Sequence, residues 1–122
     1  MADKMQYISQ TNDHGMIYIS EDVIATIVYN ALSEIDGFAG LTTRANAEIN
    51  KPLNPKNWNR GIKVVITEKG NLLLEVNAMV AYGSNLVTVA KDIQETVSAA
   101  VSSITGLQPK RVNVNIYGVI RK

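Results

Sequence analysis

The feature that most constrains this fold is a pair of alternating segments, residues 62–66 and 72–81, joined by a turn that contains Gly70 and Asn71. In both segments every second residue is apolar, which is typical of a strand with one buried face. Glycine and asparagine between two such runs predict a β-hairpin. The hairpin has to bury its apolar face against another element. The rest of the chain must therefore contain elements that pack on this apolar face.

Two segments with helical periodicity can supply those elements. Residues 21–35 and 86–104 carry apolar residues at spacings of three and four, which gives each predicted helix one apolar stripe. Ser20 and Ser84 are the predicted N-caps of these helices. Gly106 is suited to the left-handed position that ends the second helix, and the proline that follows prevents its continuation.

Further strands are predicted at residues 16–20, 37–43 and 111–120, so the order along the chain is β-α-β-β-β-α-β. Because each helix has one apolar stripe, both helices can cover the same face of the sheet. We therefore predict an α+β fold, a two-layer sandwich with two helices on one face of a mixed β-sheet. Residues 1–14 are predicted to be a flexible N-terminal tail, and residues 15–122 a single domain.

The composition limits the classes of function that this chain is expected to have. The chain has 122 residues, and 12 Lys and Arg against 11 Asp and Glu give a formal charge of +1. That near-balance argues against a dedicated nucleic-acid binder, whose domain is usually plainly basic. The absence of cysteine fits a reducing cytoplasm. With neither a signal-peptide core nor the roughly 18 apolar residues of a spanning helix, we expect a soluble, cytoplasmic protein that does not insert into a membrane itself.

Catalytic and metal chemistry find little support in the sequence. His14 is the one histidine and lies in the predicted tail, whereas a general base needs rigid surroundings. Ser20 and Asp22 are explained by helix capping rather than by a nucleophile and its partner. Close acidic pairs have no histidine neighbour and are expected to be solvated. We predict no catalytic residue, no metal ligand and no cofactor, and therefore no enzyme.

A basic loop at residues 44–63 interrupts the regular pattern and surrounds the single tryptophan, Trp58. A long loop of this kind is uncommon unless it has a function or is disordered. Its candidate contact residues are Arg44, Lys51, Lys56, Trp58 and Arg60. A basic stretch with an aromatic residue could bind nucleic acid or an acidic partner, and the GFAG turn at residues 37–40 resembles the GxxG of KH domains. The alternative is that Trp58 packs the loop beside the hairpin while the charges are solvated; we favour this packing for Trp58, and the role of the charges stays open.

The sheet face that the helices do not cover is a candidate interface. We call this set of residues the sheet face: Lys63, Val65, Leu73, Glu75, Asn77, Met79, Asn113, Asn115 and Tyr117. A merely solvated face would favour charged residues and threonine, whereas this one mixes large apolar side chains with amides. Amides donate and accept hydrogen bonds without the desolvation penalty of a charge, and Tyr and Met are enriched at interfaces. We predict that this face meets another copy of the chain or a protein partner.

Four stretches together resemble the alkaline shock protein family of Gram-positive bacteria: GMIYISEDVIATIVYNALSEIDGFAGL, RGIKVVI, LLLEVNAMVAYGSNLVTVAKDIQETVSAAVSSITGL and VNVNIYGV. The resemblance covers about residues 15–120. It implies a non-enzymatic protein of the envelope stress response that self-associates as a homo-oligomer and is held near the inner face of the membrane by a membrane-embedded partner. It also implies an interface role for Gln94, and it brings no catalytic residues.

Overall fold

The computed structural model describes residues 7–43 and 53–121, apart from the side chain of Pro55, and contains a four-stranded sheet, two helices and a separate hairpin. The elements in chain order are β1 (Tyr7–Asn12), β2 (Gly15–Ser20), α1 (Glu21–Leu32), β3 (Phe38–Leu41), a 3₁₀ helix (Pro55–Gly61), β4 (Ile62–Ile66), β5 (Leu72–Ala81), α2 (Leu86–Thr105) and β6 (Arg111–Ile120). The predicted α+β class and the β4–β5 hairpin are confirmed.

Strand β5 is the centre of the sheet. Along one edge it pairs in parallel with β6, from Leu73 opposite Arg111 to Ala81 opposite Ile120. Its other edge is shared, because β4 and β3 pair antiparallel with successive parts of it. The sheet is therefore mixed, as predicted. A bulge at Tyr117 gives β6 one residue more than the stretch of β5 beside it.

Both helices lie on one face of this sheet, with α1 over β4 and α2 over β6. Their apolar stripes meet the alternate residues of β5 that point to the same side. The fully buried residues of this core are Ile24, Val28, Leu32, Val76, Ala78, Val80, Ile93, Val97 and Val101. The predicted two-layer arrangement is therefore confirmed, and the opposite face of the sheet has no helix among the described elements.

Polar side chains cap the N-termini of both helices, and one of the two predicted caps needs correction. The Ser20 side chain accepts a hydrogen bond from the backbone N–H of Val23 at 3.4 Å, as expected of an N-cap. The cap of α2 is Asn85, not the predicted Ser84, because the Asn85 side chain accepts from the Thr88 N–H at 3.0 Å. Serine and asparagine cap about equally well, so composition alone does not choose between these neighbours.

The predicted flexible tail is wrong for residues 7–14, which form β1 and the turn that joins it antiparallel to β2. Two contacts hold β1 in place. Ile8 is buried in the core at 4% exposure, and the Tyr7 ring packs edge-to-face on Tyr18 with centroids 6.3 Å apart. The two strands form a separate two-stranded sheet rather than part of the main one. The order is therefore β-β-α-β-β-β-α-β.

Candidate interaction surface

The predicted sheet-face residues are brought together by the strand register. Glu75 on β5 lies between Lys63 on β4 and Asn113 on β6. One row along, Asn77 lies opposite Asn115. A shallow cleft of about 120 Å³ lies over this part of the sheet and is lined by Lys63, Val65, Leu73, Leu74, Glu75 and Asn113. The alternation in the sequence thus places these side chains on one surface.

Asparagine side chains on this surface bond to neighbours within the same sheet. The Asn115 amide nitrogen donates to the Glu75 carboxylate at 2.7 Å and to the Asn77 side-chain oxygen at 2.9 Å. Both N–H groups of Asn115 therefore have partners in the same chain. The amides were expected to bond across an interface, whereas these two amides join β5 to β6. Exposed polar groups on this face remain at Lys63 and Asn113.

Met79 lies elsewhere than predicted, whereas Gln94 is exposed on α2 and has a hydrogen-bond partner within the chain. Met79 is fully buried, in register with Gly40 on β3 and Gly118 on β6, so its side chain adds no exposed apolar area to the sheet face. The two glycines have no side chain, which leaves room for a methionine there. Gln94 lies on the helix layer, where its amide donates to the Val112 carbonyl of β6 at 3.1 Å. It joins α2 to β6.

The aromatic residue of the basic loop packs against α1. Trp58 on the 3₁₀ helix is half-buried and stacks on Tyr29 of α1, with ring centroids 4.6 Å apart and planes at 21°. This agrees with the favoured packing role, although the partner is a helix rather than the β4–β5 hairpin. Lys56 and Arg60 are exposed. The two other predicted basic contacts, at positions 44 and 51, lie outside the described residues.

The β1–β2 hairpin carries an exposed apolar cluster that sequence reasoning missed. We call it the hairpin patch: Tyr7, Met16, Ile17 and Tyr18, which are 47–62% exposed. A signal for it was present, because residues 16–19 are apolar on both sides of the alternation and are preceded by Asp13, His14 and Gly15. Such a run after turn-forming residues is typical of a hairpin strand with apolar side chains on both faces.

A second exposed apolar cluster lies at the start of α2. Tyr82 is 66% exposed, Leu86 43% and Val87 63%. The guanidinium of Arg121 lies over the Tyr82 ring, 4.6 Å from its centroid. A cation at that distance is attracted to the ring face. The contact holds Arg121 against Tyr82, while Leu86 and Val87 stay exposed.

Two further observations concern other kinds of site. Within residues 7–43 and 53–121, no three acidic, histidine or cysteine side chains lie close enough together to hold a metal ion. No helix in the described part of the chain is long and apolar enough to cross a bilayer.

Proteins of two Gram-positive bacteria are similar to this chain. Spy1614 of Streptococcus pyogenes serotype M6, an uncharacterised protein, is 33% identical over 107 residues, 86% of this chain and 88% of that protein. YloU of Bacillus subtilis strain 168 is 28% identical over 108 residues, covering 87% and 89% of the two chains. YqhY of the same strain is 27% identical over 105 residues, covering 86% and 77%. No solved structure matches the chain significantly.

Family membership follows from nearly the whole folded part. Residues 9–121 match the alkaline shock protein 23 family, which is described as having a cell envelope-related function. That range includes most of the β1–β2 hairpin, both helices and every strand of the main sheet. The resemblance to alkaline shock proteins is thereby confirmed, and this chain belongs to the alkaline shock protein 23 family.

Proposed function

We propose that this chain is a non-catalytic protein of the cell-envelope stress response that acts by self-association and by binding a protein partner. The partner is membrane-embedded and holds the chain at the inner, cytoplasmic face of the membrane. The family description, cell envelope-related function, supports the cellular context. The surface chemistry supports binding as the activity.

The observation that carries this proposal is the clustering of exposed apolar side chains. Single exposed hydrophobic residues are normal on a soluble protein, but contiguous patches commonly mark interaction sites. The hairpin patch places three such residues, Tyr7, Met16 and Tyr18, on one face of the hairpin, and Ile17 is exposed on the other face. The pair Leu86 and Val87 adds a second cluster at the start of α2. Tyrosine and methionine, which make up most of the hairpin patch, are enriched at interfaces.

We assign the two activities to different surfaces. The sheet face supports self-association, because Tyr117 is 39% exposed there and an amide-rich surface can meet its own copy without placing like charges opposite each other. The hairpin patch supports binding of the partner, since β1 and β2 form a sheet separate from the main one. A charged substitution on the sheet face should therefore weaken self-association, and one in the hairpin patch should weaken binding of the partner.

The partner is tested by cell fractionation. We expect the chain to sediment with membranes and to be released by alkaline washing, because protein contacts rather than a spanning segment hold it there. Met16→Lys should move it to the supernatant, since burying a charge at an apolar contact is unfavourable. Asn30→Lys on the exposed side of α1 is the matched control and should leave it with the membranes. Equal release of both variants, or flotation of the purified chain with protein-free phosphatidylglycerol vesicles, contradicts a protein partner.

The alternative function, nucleic-acid binding through the loop at residues 44–63, has less support. A base stacks on an aromatic ring whose face is available, and one face of Trp58 is occupied by Tyr29. If the loop nevertheless binds RNA or DNA, affinity should fall steeply with salt and should be lost in the Arg60→Glu and Lys63→Glu double variant. Absence of binding at low salt removes this alternative.

A further inference from the structure

Strand β6 has the longest open edge in the main sheet. Among the described residues it pairs with β5 alone, so its outer edge, ten residues long, has no strand beside it. The other edge strands are shorter, with five residues in β4 and four in β3. An unpaired strand edge is a template for another strand, since its backbone groups can continue the hydrogen-bonded ladder.

This edge lacks the charges that commonly prevent such pairing. Proteins protect open edges with charged residues, especially lysine. Strand β4 has Lys63 near its start, whereas β6 has no charged residue from Val112 to Ile120. The bulge at Tyr117 interrupts the regular edge near its end. Residues 111–116 remain as a regular stretch of open strand.

The helix layer beside this edge also has exposed surface along α2. Gln94 bonds to the Val112 carbonyl and so marks the side of α2 that lies along β6. Val87 lies two helical turns before Gln94 on the same side and is 63% exposed. Further along α2, an open groove of about 650 Å³ is lined mainly by small or uncharged side chains: Gln94, Glu95, Ser98, Ala99, Ser102, Ser103 and Gln108.

We propose that β6 pairs antiparallel with β6 of a second copy, so that two main sheets join into one continuous sheet. The inference rests on the self-association proposed above and places the contact at the β6 edge of the main sheet, beside Asn113 and Tyr117 of the sheet face. A two-fold axis perpendicular to the sheet makes the same edge serve both partners and sets the two strands antiparallel. The partner is a second copy because the edge carries no charge from Val112 to Ile120, so two copies can pair there without placing like charges opposite each other. An edge suited to a charged segment of another protein would instead carry opposite charges.

In this arrangement the contact extends beyond the strand edge itself. A stable interface generally buries about 1,200–2,000 Å² in total, more than a short strand edge supplies by itself. In the antiparallel dimer both α2 helices lie on the same side of the joined sheet, where small residues such as Ser98 and Ala99 let them approach. Val87 is then covered on one side of the sheet and Tyr117 on the other. Val87 and Tyr117, both exposed in the single chain, thus lie at the proposed contact.

Cysteine crosslinking tests the pairing, because the chain has no cysteine of its own. The probes are Arg111→Cys, Asn113→Cys and Tyr117→Cys, each oxidised alone and in pairwise mixtures. A disulfide needs Cβ atoms within about 4.5 Å of each other, which directly opposed residues of antiparallel strands provide. One probe or one mixture should therefore crosslink strongly and identify the two-fold axis. Lys69→Cys, exposed in the β4–β5 turn, is the control.

We expect the best β6 probe or mixture to crosslink about tenfold faster than Lys69→Cys, because only opposed strands hold the thiols at bonding distance. A protein that light scattering shows to be oligomeric, but whose β6 cysteines react no faster than the control, overturns the β6 pairing and leaves self-association standing. A protein that stays at its monomer mass of 13.3 kDa overturns both. Capture of a strand from a different protein by a monomeric chain likewise overturns pairing between copies.

Discussion

At the scale of single residues, Asn115 has the most specific role on the sheet face. It joins β6 to two side chains of β5 by hydrogen bonds of 2.7 and 2.9 Å. Removing an amide that bonds to a partly buried carboxylate leaves that acceptor without its partner. We expect Asn115→Ala to lower the free energy of unfolding by about 1–3 kcal/mol in urea denaturation.

Asn113 provides the matched control, since it lies two residues away on the same strand and face and is exposed. Asn113→Ala should change the free energy of unfolding by no more than about 0.5 kcal/mol, the usual range for a surface position. Both variants should be measured at low protein concentration, so that any oligomer is dissociated. Equal losses in the two variants would mean that the Asn115 hydrogen bonds add nothing to stability.

At the scale of elements, the hairpin determines whether the first residues belong to the folded domain. Ile8 on β1 is 4% exposed and packs into the common core. We expect Ile8→Ala to reduce the free energy of unfolding by roughly 2–5 kcal/mol, as for other buried aliphatic residues. Its neighbour Ser9 is exposed, so Ser9→Ala should have little effect. If Ile8→Ala unfolds at the same urea concentration as the unsubstituted chain, residues 7–14 behave as the tail that the sequence suggests.

The 3₁₀ helix offers a spectroscopic prediction, because Trp58 is the only tryptophan. Its ring stacks on Tyr29, and a stacked aromatic pair contributes about 0.5–1.5 kcal/mol beyond its buried area. Tyr29→Ala should uncover the indole and shift its fluorescence emission to longer wavelength in the folded protein. Tyr82→Ala, far along the chain from this contact, is the control. An unchanged spectrum in Tyr29→Ala contradicts the stacking.

Several elements could be predicted from the sequence because each depends on a local pattern. The period of α1 and α2 gives their apolar stripes, and the Gly70-Asn71 turn gives the β4–β5 pair. Contacts between segments that are distant in the sequence cannot be predicted from such a local pattern. The shared edge of β5, the burial of Met79 between two glycines and the pairing of Trp58 with Tyr29 each depend on where another part of the chain lies.

The candidate surface shows the same division. Alternation predicted that Lys63, Glu75 and Asn113 share a face, and the strand order, which it did not predict, places them side by side. It did not reveal that Asn115 bonds to Asn77 within the sheet, because hydrogen-bond partners depend on the strand order as well as on the face. The hairpin patch was missed because residues 7–14 were predicted to be a flexible tail, so no partner strand was predicted for β2.

At the scale of the whole molecule, the proposed function depends on the surfaces that the fold leaves exposed. The main sheet, its two helices and the hairpin bury one core, and the exposed features among the described residues include an amide-rich sheet face, an open β6 edge and two apolar clusters. The sheet face and the open edge share β6, whereas the hairpin patch lies on β1 and β2. Under the proposed function, one molecule would contact its own copy through the main sheet and a different partner through the hairpin patch.

The most direct test of self-association is the mass of the purified chain in solution, measured by light scattering across a concentration series. We predict a mass of at least twice the 13.3 kDa monomer at high concentration. Tyr117→Lys should shift the mass toward the monomer through charge repulsion at the sheet face, while Asn30→Lys should not. A monomer mass for the unsubstituted chain at every concentration would contradict the central claim.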